Sequence, residues 1–229
     1  MPMHRELNQD FFKTWTSEMA YILGYFAADG SMLKNGRGGH FIEFTTTDRC
    51  LLVLLKRVCR ASQHISIRPK RDTKWKEQYR LQIGSKEWFA DLLRLGFTQA
   101  KSNTLRFPEV PAEYLGHFVR GYFDGDGCVY FKLLKFADRK RRRWILMTLF
   151  TSGSRSFLES LQTAISMHGI KGGSLVKKIS GFDLKFSHKD SVALYQLMYH
   201  TAEASNLFLP RKREKLERAI KVLKSIMRA

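Results

Sequence analysis

The sequence predicts an α+β fold of two pseudo-symmetric halves, each running helix, strand pair, helix, strand pair, helix. Three observations carry that expectation. Four segments of the first half recur in the second in the same order, each shifted by 97 to 106 residues. Within each copy, helical and two-residue periodicities alternate at matching places. One segment bracketed by prolines, Pro108 to Pro111, separates the copies. It divides the chain into an N-terminal half, 1–110, and a C-terminal half, 111–229.

The repeat can be read directly. Tyr21 to Gly30 (YILGYFAADG) returns as Phe118 to Gly127 (FVRGYFDGDG), and Phe44 to Leu52 (FTTTDRCLL) as Phe150 to Leu158 (FTSGSRSFL). Tyr79 to Lys86 (YRLQIGSK) returns as Phe182 to Lys189 (FDLKFSHK), and Ser102-Asn103 as Ser205-Asn206. Chance supplies one such pair, hardly four in register.

The elements follow in order. Met19, Ile22, Leu23 and Phe26 recur at helical spacing, with Ser17 as N-cap, predicting a helix over 17–29 and its counterpart over 113–126. Gly30 and Gly127 are expected in the left-handed conformation that stops a helix. β-Branched and aromatic residues between polar turns predict strands near 40–47 and 144–151. Helices over 48–61 and 154–168, a second strand pair, and helices over 85–96 and 188–199 complete the halves. Arg211 to Ala229 reads as a basic amphipathic helix.

Composition narrows the function. The chain of 229 residues is 44% hydrophobic, enough for a real core. No apolar run reaches membrane-spanning length, and Met1 to Asp10 lacks a signal peptide's apolar segment, so an intracellular protein is expected. Cys50, Cys59 and Cys128 form neither an even disulfide set nor a CxxC pair, and read as packing residues in a reducing interior. The formal net charge is +19, and both halves share the excess, so no basic tail explains it. Self-repulsion of that size points to a polyanionic partner.

The helix ends hold an oddity. Asp29 and Asp126 occupy the last turns of the repeated helices, where the macrodipole disfavours a carboxylate by a few tenths to about 1 kcal/mol. One Asp-Gly pair is an ordinary turn, but two at matching places suggest a divalent cation between the carboxylates. Gly24 and Ala28, like Gly121 and Gly125, lie four apart and give each helix a stripe of small residues. Helices crossing along these stripes would bring their terminal Asp residues side by side.

These two segments resemble the LAGLIDADG motif, and the repeat resembles single-chain homing endonucleases of that family over nearly the whole length. Gly121, Asp124, Gly125, Asp126 and Gly127 match the motif's third and sixth to ninth positions; the first copy keeps Gly24, Ala28, Asp29 and Gly30 but has Ala27 at the sixth. The resemblance implies paired motif helices on a pseudo-twofold axis and a saddle of antiparallel strands in the DNA major groove. It also implies Mg²⁺-dependent cleavage of both strands of double-stranded DNA with 3′ overhangs, by a monomer without a small-molecule cofactor. Asp29 and Asp126 would ligate two or more shared ions, helped by the carbonyls of Ala28 and Gly125. Gln82 and Lys185, at matched strand positions, would stand near the scissile phosphates, with Thr46 and Ser152 holding water in the same pockets.

Recognition is expected from basic strands and hairpins: Arg68, Lys70, Arg71, Lys74, Lys76 and Arg80, interleaved with Trp75 and Tyr79, then Lys132, Lys135, Arg139, Lys140, Arg141, Arg142 and Arg143, and Lys178. A ten-residue strand spans roughly 33 Å, close to one turn of B-DNA at about 34 Å, so two unlike halves should cover an asymmetric site of roughly 20 base pairs. The seven histidines are scattered and read as ordinary, although His188 lies close enough to Lys185 to touch a phosphate. An intron RNA maturase or a DNA-binding regulator on the same fold are the rival readings, and the retained acid pair argues against both.

Overall fold

The computed structural model describes residues 6–69, 74, 76–135, 142–200 and 207–228. Lys70, Arg71, Trp75, Arg139, Lys140 and Arg141 lie outside the described residues, as do Ser205 and Asn206.

The first half contains α1 (Ser17–Asp29), β1 (Gly30–Lys34), β2 (His40–Thr46), α2 (Arg49–Val58), β3 (Ile65–Arg68), β4 (Gln78–Gly84) and α3 (Lys86–Arg94). The second contains α4 (Leu115–Asp126), β5 (Gly127–Leu134), β6 (Arg143–Ser152), α5 (Arg155–Met167), β7 (Ser174–Lys178), β8 (Gly181–Ser187) and α6 (His188–Tyr199), followed by α7 (Pro210–Arg228). Observed and expected ends differ by up to three residues, the ordinary uncertainty where helices fray. Residues 104–111 form no helix or strand.

Each half builds an antiparallel four-stranded sheet, ordered β1-β2-β4-β3 and β5-β6-β8-β7. Their registers coincide: Phe44 faces Leu81 as Phe150 faces Leu184, so Gln82 and Lys185 occupy equivalent points. Alternation divides each sheet into two faces. Ile42, Phe44, Leu81 and Ile83 in one sheet, and Leu146, Phe150, Leu184 and Phe186 in the other, are fully buried and join the motif helices in a single continuous core. The alternate residues face outward.

Two local expectations need correction. Thr16, not Ser17, caps α1: it is extended (φ −138°, ψ 166°), and its Oγ1 accepts from the backbone N of Met19 at 3.1 Å. Gly30 and Gly127 are extended as well, with φ −89° at both, so each chain passes directly from motif helix into strand. Glycine is required there by crowding, because a Cβ would stand 2.0 Å from the Phe26 ring at Gly30 and 2.1 Å from the Phe123 ring at Gly127. The cysteine reading also changes: Cys59 is buried, whereas Cys50 and Cys128 are exposed and unpaired thiols. Among the described residues no helix is long and apolar enough to cross a membrane.

Candidate functional site

The centre is built by the two motif helices. From Met19 to Ala27 every residue of α1 is buried, as is Leu115 to Asp124 of α4, so both are core helices rather than surface amphipaths. The small residues set how closely they meet. A Cβ at Gly24 would lie 2.0 Å from the Phe118 carbonyl oxygen, and one at Gly121 would lie 1.9 Å from that of Tyr21. At the open end, a Cβ on Gly125 would be 2.4 Å from Ala28 Cβ and 3.3 Å from Asp29 Oδ2. Backbone contact along the stripe therefore brings Asp29 and Asp126 together at the C-terminal ends, as the spacing predicts.

This neighbourhood resists negative charge. Burial, then the Asp126 carboxylate, raise Asp29 to about 7. Burial raises Asp126 as well. Two lysines oppose the effect, and sequence reasoning passed over both. Lys101 Nζ donates to the carbonyl of Ala27 at 2.7 Å, and Lys212 Nζ donates to those of Phe123 (2.7 Å), Asp124 (2.8 Å) and Gly125 (3.0 Å). Each ammonium also stands over the preceding aromatic ring, Phe26 or Phe123. Both lysines are buried, and burial lowers each to about 8. They supply the positive charge that a helix C-terminus favours and the donors its last carbonyls lack. No common repeat position announces them. Lys101 precedes Ser102-Asn103, whereas Lys212 follows Ser205-Asn206 and sits among the basic residues of α7.

The motif's sixth position explains itself structurally. Asp124 is buried, and its Oδ2 accepts from the Tyr21 hydroxyl (2.8 Å) and the Leu209 backbone N (2.7 Å). It ties α4 to α1 and to the start of α7, one turn before Lys212. Arg211 extends the strap to the other half, pairing with both carboxylate oxygens of Asp48 at 3.0 and 2.6 Å. Ala27 in the first copy has no such duty.

The donors around the acid pair are all oxygens, which suits a hard divalent cation. Among the described residues no group of three or more His, Cys, Asp or Glu side chains gathers. Two carboxylates are nonetheless the usual protein share of a Mg²⁺ site completed by water and substrate phosphate, and the Asp126 charge that adds to burial in raising Asp29 is what a cation relieves. Of the two carbonyls expected to help, that of Gly125 already accepts from Lys212.

The remaining expected residues separate. Gln82 and Lys185 lie on the outward faces. Gln82 Nε2 donates to Glu43 Oε1 at 2.7 Å, and Lys185 Nζ is 4.0 Å from Asp183 Oδ2. Thr46 and Ser152 do not lie on the outward faces. Both are buried on the core side, where their hydroxyl oxygens accept from the backbone N of Asp48 and Ser154, each at 3.1 Å, ordering the turns into α2 and α5. His188 Nε2 accepts from the Leu146 backbone N at 3.4 Å, a structural bond. Of the basic residues, Arg68, Arg80, Lys132, Arg143 and Lys178 are on the outward faces, and Lys74, Lys76, Lys135 and Arg142 are exposed beyond the strand ends. Arg80 lies 3.4 Å from Glu43, and Lys178 lies 3.1 Å from Asp183.

Comparison with known proteins agrees with this geometry. Residues 16–95 match the model of the LAGLIDADG-like domain. No curated protein sequence matches the chain. Among solved structures, the LAGLIDADG meganuclease I-AabMI bound to uncleaved DNA is 13% identical, with 90% of each chain covered and a TM-score of 0.62. The I-LtrWI LAGLIDADG homing endonuclease bound to target DNA is 14% identical, covering 96% of this chain and 92% of that one, with a TM-score of 0.60. The homing endonuclease I-WcaI bound to its DNA recognition sequence is 14% identical, covering 91% of each chain at a TM-score of 0.59. Residues 16–95 thus match a LAGLIDADG-like domain, and the chain as a whole shares the fold of these LAGLIDADG meganucleases.

Proposed function

We propose that this chain is a site-specific endonuclease that makes a staggered double-strand break in DNA, leaving 3′ overhangs at an asymmetric target of about 20 base pairs. It would act as a monomer and initiate homing of a mobile element. The observation that carries the reading is the carboxylate pair itself, set at the junction of two motif helices between two outward sheet faces edged with Arg and Lys. A fold that only bound nucleic acid would have no reason to keep two acids where burial and helix dipoles oppose them.

In this reading Asp29 and Asp126, with the carbonyls of Ala28 and Gly125, would hold Mg²⁺. Bound there, the ions would lower the pKa of an attacking water and stabilise the departing 3′-oxygen. The chain's own residues supply the rest. Lys101 and Lys212 hold the helix-end carbonyls and offset the acids' charge, opposing the rise that burial and Asp126 impose on Asp29. Lys185 and Gln82 face the scissile phosphates of their respective halves, and only Lys185 brings charge to the transition state. The outward cations neutralise phosphates and set register on the duplex.

The test is cleavage of a plasmid library of randomised sites with Mg²⁺, comparing the wild type with Asp29→Asn and Asp126→Asn. Cleavage by the wild type alone, with DNA affinity of the variants within a few-fold, supports the proposal. Double-strand cutting at wild-type rate by either variant refutes the two-acid centre. Tight DNA binding without cutting by the wild type would favour a regulator instead.

A further inference from the structure

Resting on the DNA-binding reading above, we infer that the two sheets read their half-sites by different chemistry. The C-terminal sheet recognises thymine methyl groups over about four base pairs through Ile145, Met147 and Leu149. The N-terminal sheet recognises base edges by hydrogen bonding.

The argument starts from alternation along β6. Leu146, Thr148 and Phe150 are fully buried on the core face, so Ile145, Met147 and Leu149 point outward at three successive positions of an inner strand, each partly buried by its neighbours. Leu149 stands between Cys128 and Lys185, Met147 between Tyr130 and Ser187, and Ile145 beside Lys132. Lys132, Arg143, Lys178 and Lys185 therefore border an apolar strip. In a chain of charge +19, three apolar side chains in a row, partly exposed on a face edged with cations, offer a surface that an apolar group of the DNA can cover.

The equivalent surface of the other sheet differs in kind. The register places Glu43 where the second half has Leu149, between Ser31 and Gln82. Gln82 and Arg80 both engage Glu43, while Ser66, Gln78 and Arg68 continue the polar face outward. Leu33 and Phe41, the apolar residues of this face, are paired with each other at its far end. Amide, guanidinium and carboxylate groups of this kind read adenine, guanine and cytosine edges in the major groove.

Matching the C-terminal strip to DNA leaves one partner group. Base pairs present hydrogen-bonding atoms in the major groove, and thymine alone adds an apolar methyl. The spacing agrees. Outward residues of an antiparallel strand repeat every 6.8 Å or so, close to two base-pair steps of about 3.4 Å. Ile145 to Leu149 thus covers about 14 Å, or four steps. The flanking cations reach the phosphates, and the strip meets the base edges between them.

Uracil, which is thymine without the methyl, provides the probe. Sites are selected by binding from two randomised duplex libraries, one made with thymine and one with uracil in its place, using the intact protein without divalent metal so that nothing is cut. We expect the thymine library to yield an asymmetric motif with a stretch of about four T·A-rich pairs in one arm, and the uracil library to keep the other arm while losing that stretch. On a duplex carrying the selected site, each thymine-to-uracil change in the stretch should weaken binding about fourfold, the worth of one buried methyl. The variant Leu149→Gln, altered on the outward face and checked for an unchanged thermal melt, should no longer distinguish the two bases at its step. That result also assigns the arm to the C-terminal sheet. An unchanged motif in the uracil library, or uracil sensitivity that Leu149→Gln leaves intact, overturns the inference while preserving sequence-specific binding. No motif in either library would overturn the DNA-recognition reading itself, and the inference with it.

Discussion

The helix crossing is the feature on which the centre depends, and Gly121→Ala tests it most directly. The added Cβ would lie 1.9 Å from the Tyr21 carbonyl oxygen and 2.9 Å from the Tyr25 nitrogen. Ordinary contact begins at 3.4 Å, so α1 and α4 would have to part by roughly 1.5 Å. Neither obstacle is a flexible side chain; both are backbone atoms of a helix buried on all sides. Overpacking of this kind costs about 1–3 kcal/mol and sometimes more, and a backbone clash belongs at the top of that range. Replacing glycine by alanine inside a helix returns about 1 kcal/mol of propensity. The net expectation is destabilisation of about 2 kcal/mol or more, read in urea as a midpoint lowered by about 1 M at an m-value near 2 kcal/mol/M. Gly36→Ala is the control, because a Cβ there meets nothing within 4 Å and should leave the midpoint unchanged or slightly raised. A Gly121→Ala midpoint equal to or above that of the wild type would refute the close-crossing argument and, with it, the reason that Asp29 and Asp126 lie together.

Three further outcomes follow from the site. Folded Asp29 binds its proton up to about 7, against an ordinary 3.8, so wild-type stability should fall as pH rises through that window, by up to about 4 kcal/mol in all. Asp29→Asn cannot titrate there, so its stability advantage in urea should be about 2–3 kcal/mol larger at pH 8 than at pH 5; an equal difference at both would show that the carboxylate is not desolvated. Lys212→Met removes the donor from three carbonyls at the end of α4 and positive charge from beside both acids, so it should lower stability by about 1–3 kcal/mol and move the cleavage pH profile to higher pH, whereas an unmoved profile would leave Lys212 as helix cap alone. Lys185→Met should slow cutting of one strand far more than Gln82→Ala slows either, seen in single-turnover cleavage with each strand labelled, and strand rates within about twofold of wild type would make Lys185 an ordinary groove contact.

The architecture was legible because it repeats. Gly24 with Ala28 and Gly121 with Gly125 announce a helix pair through spacing alone, and the terminal Asp residues acquire meaning only when both copies are read together. What escaped the sequence depended on three-dimensional crowding. Gly30 and Gly127 look like left-handed helix stops, but their glycines answer to the Phe26 and Phe123 rings packed against them. Thr46 and Ser152 sit at matched polar positions, yet β-alternation turns them inward to order the next helix. Lys101 and Lys212 escaped for a different reason: a buried lysine is indistinguishable from a solvated one in a chain with 40 basic residues.

The two halves have diverged where geometry leaves them free. At the helix crossing, a backbone distance fixes the residue, and glycine stands at 24 and 121 alike. Around the carboxylates the requirement is charge near the carbonyls, so a lysine serves each half but arrives from unrelated places, one after α3 and one at the start of α7. On the outward faces the register alone is shared. Glu43 and Leu149 occupy one position, as do Arg80 and Asp183, and Gln82 and Lys185. Replacements of this kind, acid by aliphatic and cation by acid, would wreck an apolar core but are tolerated on the outward faces, where polar neighbours such as Gln82 beside Glu43 and Thr151 beside Asp183 satisfy the acids. The pseudo-symmetric centre and the dissimilar faces therefore arise from one cause: packing constrains the chain most tightly where the two helices touch and least on the outward faces of the sheets.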